Sequence, residues 1–195
     1  MDAATKPLPA DSGLTLVELI IAVAIIGFLG LMVVPGLLGS VPKYRVDSAS
    51  KTLAAEMNLA RMTAIARNRP IQVAFDATDQ RIEVREVVTS GGSTSTTVLK
   101  TIELDALFPN VSLGYNSVTG VDGSSVAQAA DFDGSATATF LPNGLLQKSG
   151  VFYLIPEADV GTSRLERMRA VQVGRAGQIT LWRYDAGQSP PWEEM

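Results

Sequence analysis

The chain has 195 residues, 46% hydrophobic and 18% charged, and its 16 basic and 20 acidic side chains leave a net charge of −4. It contains neither Cys nor His, which excludes disulfides, Cys and His metal sites, and acid–base catalysis by His. The length suits one domain plus an anchor, and a mildly acidic balance argues against strong nucleic-acid binding, which rests on neutralising phosphates.

Residues Met1–Ser12 are polar with two prolines and read as a short leader. From Leu14 to Val34 run 21 residues in which only Thr15 and Glu18 have polar side chains. As a helix this stretch is roughly 31 Å long, enough to cross a bilayer core. Glu18 is the anomaly, because a carboxylate in hydrocarbon costs at least about 2.5–3.5 kcal/mol. A cut between Gly13 and Leu14 would create an α-amino group four residues before Glu18. In a staggered stack of helices, that carboxylate would meet the amine of a neighbour. An ordinary secretory signal has a shorter apolar core with its small-residue cut behind it. A plain anchor gives no reason for Glu18.

The run Gly13-Leu14-Thr15-Leu16-Val17-Glu18 resembles the class III signal of type IV pilins and type II secretion pseudopilins. The resemblance implies a cut after Gly13 by a prepilin peptidase on the cytoplasmic side and N-methylation of Leu14. It implies Glu18 as the fifth residue of the cut chain, pairing with a neighbour during assembly, and Pro35 as the commonly found proline further on. It departs in two respects. Leu14 stands where Phe is usual, and the leader, with Lys6 against Asp2 and Asp11, is not basic. Losing the leader leaves 15 basic and 18 acidic residues, a net charge of −3.

Pro35, Gly36, Gly39 and Pro42 follow the span, and are expected to kink or locally melt the helix. Helical pattern resumes near Lys43. Val46, Ala49, Leu53, Met57, Ala60 and Ala64 recur at three- and four-residue steps as one apolar stripe. The helix should end near Arg69, since Pro70 disfavours helix in the residue before it.

From Ile71 the period changes to two. Strands are expected over Ile71–Phe75 and Arg81–Val87 as a hairpin, then over Val98–Leu104, Val111–Tyr115, Ala136–Leu141 and Val151–Ile155. Arg169–Gly174 and Gln178–Tyr184 should close the domain as a hairpin around Arg175-Ala176-Gly177. Thr89–Thr97 (TSGGSTSTT) reads as a flexible loop, Asn116–Gly134 as a long mobile loop or insertion, and Asp185–Met195 as a loosely held tail. Leu53–Val73, and the order Phe140-Leu141-Pro142-Asn143-Gly144, Val151–Ile155, Val171-Gln172-Val173-Gly174-Arg175, resemble the GspH/FimT branch of the pilin family. The fold expected is α+β: a long N-terminal helix packed on an antiparallel β-sheet domain. Its parts are a leader (1–13), a transmembrane and assembly helix (14–34), a kinked amphipathic continuation (35–69), a periplasmic β-rich domain (70–184) and a tail (185–195).

Candidate chemistry is sparse. Some FimT-like minor pilins bind DNA through a basic turn near the closing hairpin, with a second Arg two positions after the first. Here Arg175 is followed at that spacing by Gly177, so the motif is incomplete. Arg169, Arg175 and Arg183 are the DNA-binding candidates on that resemblance, with Trp182 and Tyr184 either stacking on bases or packing in the core. Asp131-Phe132-Asp133-Gly134 has part of the pattern of a calcium loop but lacks its third acid and distal Glu. No metal, cofactor or catalytic residue is expected. The resemblance implies a minor pilin or pseudopilin, held in the inner membrane with its N-terminus cytoplasmic and its domain periplasmic, then moved into a filament tip or priming complex. Its partners would be other pilins or pseudopilins, the peptidase and an inner-membrane assembly platform. The alternatives are a pilus-associated DNA receptor and a membrane-tethered domain that does not assemble.

Overall fold

A computed structural model describes residues 15–76 and 78–195, the side chains at 30–38 excepted. Its elements in chain order are helix α1 (Leu16–Arg67), strands β1 (Ile71–Asp76), β2 (Arg81–Ser90) and β3 (Ser93–Glu103), the one-turn helix α2 (Leu104–Leu107), then β4 (Val111–Leu113), β5 (Ala130–Asp131), β6 (Thr137–Phe140) and β7 (Gly150–Pro156). A 3-10 turn at Glu157–Asp159, β8 (Arg169–Val173), β9 (Ile179–Tyr184) and β10 (Trp192–Glu194) complete them. The chain divides into two units, Met1–Ser40 and Val41–Met195.

In the first unit every large apolar side chain from Leu16 to Leu29 is more than half exposed. Among the described residues no helix is long and apolar enough to cross a membrane; residues 14 and 30–34 of the expected span lie outside those whose side chains are described. Helix continues without a break from Leu16 to Arg67, so the local melting expected around Pro35 and Pro42 does not occur. Each proline deletes a single N–H donor, and the flanking i to i−4 bonds carry the backbone through. The helix ends two residues earlier than expected. Asn68 takes the left-handed conformation (φ 51°), and the Arg69 N–H reaches the Ala64 carbonyl at 3.2 Å. That six-to-one bond is a Schellman closure, in which Asn replaces the usual Gly.

In the second unit two antiparallel sheets carry the fold, in strand orders β3-β2-β1-β6 and β10-β9-β8-β7-β4, with β5 also on β7. The stripe Val46, Ala49, Leu53, Met57, Ala60 and Ala64 is buried, no member more than 4% exposed. It shares one core with Ile71, Val73, Ile82 and Val84 of the first sheet and Phe152, Leu154, Val171 and Val173 of the second. Three alanines in the stripe let backbone come close to sheet. Alternate residues of β7 and β8 point the other way, so Val151, Tyr153 and Ala170 join Met168, Val126 and Trp192 in a second cluster. Both faces of β7 are therefore covered, which explains its unbroken apolar run VFYLI.

Three expectations are overturned. TSGGSTSTT is no flexible loop: Ser90 pairs with Ser93 across a two-residue turn, with Gly91 and Gly92 at φ 59° and 86°. Two glycines at positive φ suit the tight hairpin whose twist matches the strands. Residues 116–134 are knitted down rather than loose. Buried Asn116 donates to the Asp159 and Thr162 carbonyls and accepts the Gly161 N–H, and β5 pairs with β7. The tail ends in a strand, because β10 pairs with β9 and Trp192, 4% exposed, donates its indole N–H to the Thr119 carbonyl at 2.8 Å.

Candidate functional site

The helix start is built by Thr15 and Glu18. The Glu18 N–H donates to the Thr15 hydroxyl oxygen at 3.3 Å, and the Leu19 N–H to the Thr15 carbonyl at 3.2 Å. Thr15 is thus the N-cap, and Thr15-Leu16-Val17-Glu18 has the spacing of a capping box. A carboxylate in this first turn also faces the positive end of the helix dipole, worth about 0.3–1 kcal/mol. The Thr-x-x-Glu spacing is the local sequence signal of this cap. Gly13 and Leu14 lie outside the described residues, as does the side chain of Pro35. Chemically, the site is one exposed carboxylate at the head of an apolar helix, with no cation bonded to it among the described residues.

The three candidate arginines do not form a patch. Arg169 is 1% exposed; its Nε meets Asp47 of α1 at 2.5 Å, and Nη1 donates to the Glu166 and Met168 carbonyls. Buried so, it clamps helix to sheet and cannot reach a phosphate. Arg183 makes two hydrogen bonds to Glu193 of β10, which hold its pKa above the ordinary value. Arg175 is exposed in its turn. That turn is fixed from below by Arg61 of α1, which donates to the carbonyls of Gly144, Gly177 and Ala176 at 2.9, 3.2 and 3.3 Å. A Cβ on Gly177, at φ 79°, would lie 2.6 Å from the Arg61 Nε, so glycine is required there by both backbone and space. No local spacing signals Arg61's role, since its partners are more than eighty residues away.

The aromatic candidates are likewise engaged. The Trp182 indole donates to Gln172, and Tyr184 packs edge-on against Trp192 with ring centroids 5.6 Å apart. Both rings also pack against the second core cluster. In the acidic loop, Asp131 accepts the Gly134 N–H and Asp133 pairs with Lys148 at 2.6 Å; that hydrogen bond holds the Asp133 carboxyl below its ordinary pKa. A cleft of about 650 Å³ beside the loop is lined by Asp122, Asp131, Asp133, Lys148 and Arg175 among others. Lys148 answers Asp133 there, and among the described residues no three potential ligands are grouped to hold a metal.

Comparison with known proteins gives two family matches. The model for the type II transport protein GspH matches residues 49–177, and that for the prokaryotic N-terminal methylation motif matches residues 8–34. No curated protein sequence matches the chain. Among solved structures, the type IV minor pilin FimU of Pseudomonas aeruginosa strain PAO1 is 19% identical, with 70% of this chain and 87% of that one covered at a TM-score of 0.46. The minor pseudopilin EpsH from the type 2 secretion system of Vibrio cholerae is 13% identical, with 71% and 97% covered at a TM-score of 0.43.

Proposed function

The chain belongs to the family of the type II transport protein GspH, and on that footing we propose that it is a minor pilin-type subunit, processed and then assembled into a type IV pilus or a type II secretion pseudopilus. The family is one of structural subunits, not enzymes. The N-terminal methylation motif supports inner-membrane anchoring with the domain on the periplasmic side, a cut after Gly13 and methylation of Leu14. A prepilin peptidase would do both, and an inner-membrane platform would then lift the helix into the filament, at its tip or in its priming complex.

One observation carries the assembly reading: an unbroken helix whose large apolar side chains from Leu16 to Leu29 are all exposed, headed by a lone carboxylate. Such a surface demands lipid or other helices around it. In a staggered stack, the Leu14 amine of one subunit would approach Glu18 of the next. Opposite charges about 4 Å apart attract by about 4 kcal/mol at an effective dielectric of 20, against which desolvation must be set. Exchanging lipid for neighbouring helices changes little apolar burial, so the charge pair would set register rather than supply most of the binding. Pro35 lies within this helix and would tune how it bends on packing.

The test has two readouts. Mass spectrometry should find a chain starting at N-methyl-Leu14; an intact Met1, or a start after Pro35, would overturn the processing step. Glu18→Ala should leave the domain folded and anchored yet absent from filaments. Unchanged incorporation would instead favour a tethered domain that does not assemble. Pilins that co-purify with the chain would tell a pilus from a secretion machine. The DNA-receptor alternative would rest on Arg175 alone, with Arg169 buried and Arg183 held by Glu193, and no feature of the fold favours it.

A further inference from the structure

Among the described residues, no third strand pairs with the far end of the β2–β3 hairpin. β1 follows β2 only as far as the pair Ile71↔Glu86, after which the Val87 N–H closes on the Pro70 carbonyl. Beyond, the pairs Val87↔Thr96, Val88↔Ser95, Thr89↔Thr94 and Ser90↔Ser93 form a two-stranded ribbon, and residues 89–98 are all exposed. A lone two-stranded ribbon is marginally stable at best in water. β3 is also the edge of its sheet and presents a row of main-chain donors and acceptors.

Edges that stay monomeric are usually guarded by Lys, Pro or inward-pointing charge. From Val87 to Leu99 this chain has 13 consecutive residues with no charge and no proline, and Thr and Val, both strong strand formers, make up half of them. The first guard is Lys100, beside the register shift where the ribbon leaves the body.

We propose that this ribbon is a self-association edge: residues 94–98 of one copy add antiparallel to the same residues of a second copy, making one sheet continuous across a two-fold axis. Charge selects the occupant. A charged strand would lie against a neutral edge with nothing to answer it, whereas the edge itself is neutral, extended and of matching length. Centred on Thr96, the pairing sets Lys100 of one copy opposite Gly92 of the other, so no like charges face each other. The proposal stands on this geometry and does not rest on the assembly reading.

Because the chain lacks Cys, a single introduced thiol reports the contact without ambiguity. Directly opposed residues in an antiparallel pair have Cα atoms about 4.5–5.5 Å apart, within disulfide reach. Full-length Thr96→Cys in detergent micelles, under mild oxidation, should form covalent dimers roughly tenfold faster than Val160→Cys, an exposed control on the domain, because a pre-formed contact raises effective concentration. Adding Thr94→Pro should remove that excess while the melting temperature holds, since Thr94 is exposed near the tip of the ribbon. Equal rates at Thr96 and Val160, or cross-linking of Thr96→Cys in cells only to other proteins, would overturn the proposal.

Discussion

Removing Asp47 tests the ion pair that holds the buried Arg169. Its carboxylate lies 2.5 Å from the Nε of Arg169, whose side chain is 1% exposed against 19% for Asp47. Asp47→Ala leaves a guanidinium buried in the core without its counter-charge, which typically costs about 3–5 kcal/mol. Two carbonyls still accept from Arg169, so the lower end, about 3 kcal/mol, is expected. For a protein of this size each kcal/mol shifts the melting temperature by roughly 2–4 °C, so the fall should be roughly 6–12 °C. Trp182 and Trp192, in β9 and β10, provide the fluorescence signal for melting and denaturant unfolding. Arg169→Met in the Asp47→Ala background removes the orphaned charge and should restore more than half of the loss. Two results would refute the reasoning: a loss under about 1 kcal/mol, the range of an exposed pair, or a double variant no more stable than Asp47→Ala.

Trp192→Ala, which empties the aromatic contact with Tyr153 and Tyr184, should cost about 3–5 kcal/mol; an unchanged unfolding midpoint would mean the C-terminal strand is not held. The Tyr153 phenol is pushed up to about 12, chiefly by burial. A group with a raised folded pKa contributes stability that is fully present below its unfolded value near 10 and is lost as pH climbs through 12. Ultraviolet titration should therefore show one tyrosine ionising only near pH 12, together with unfolding, and a complete tyrosine titration by pH 11 in the folded state would contradict this.

Periodicity made the helix and most strands legible. The stripe from Val46 to Ala64 repeats at helical spacing because one helix face touches the core, and that face is buried as the spacing required. Alternation marked β1 and β2 for the same reason at period two. Composition misled where polar residues do structural work. Ser and Thr in 93–97 read as loop, yet two adjacent glycines already encode the tight turn. Asn116 and Trp192 bind backbone far away in sequence, so neither the ordered 116–134 segment nor the final strand left a local trace. Among the site residues, Glu18 stood out because a charge within an apolar run is locally costly; its backbone bond to Thr15 is equally local.

The sequence by itself determined the anchor-like apolar run, the N-terminal methylation motif that contains Gly13 and Glu18, and the two periodicities of an α+β domain. These are properties of neighbours along the chain, and short-range physics sets them. Only the tertiary structure decided the arginines: which one is buried as a helix-to-sheet clamp, which is neutralised by the last strand, and which stays at the surface. A guanidinium's role depends on the carboxylate or carbonyl that folding brings to it, here from 122 residues away for Arg169 and Asp47, and no pattern of spacing along a chain records that meeting.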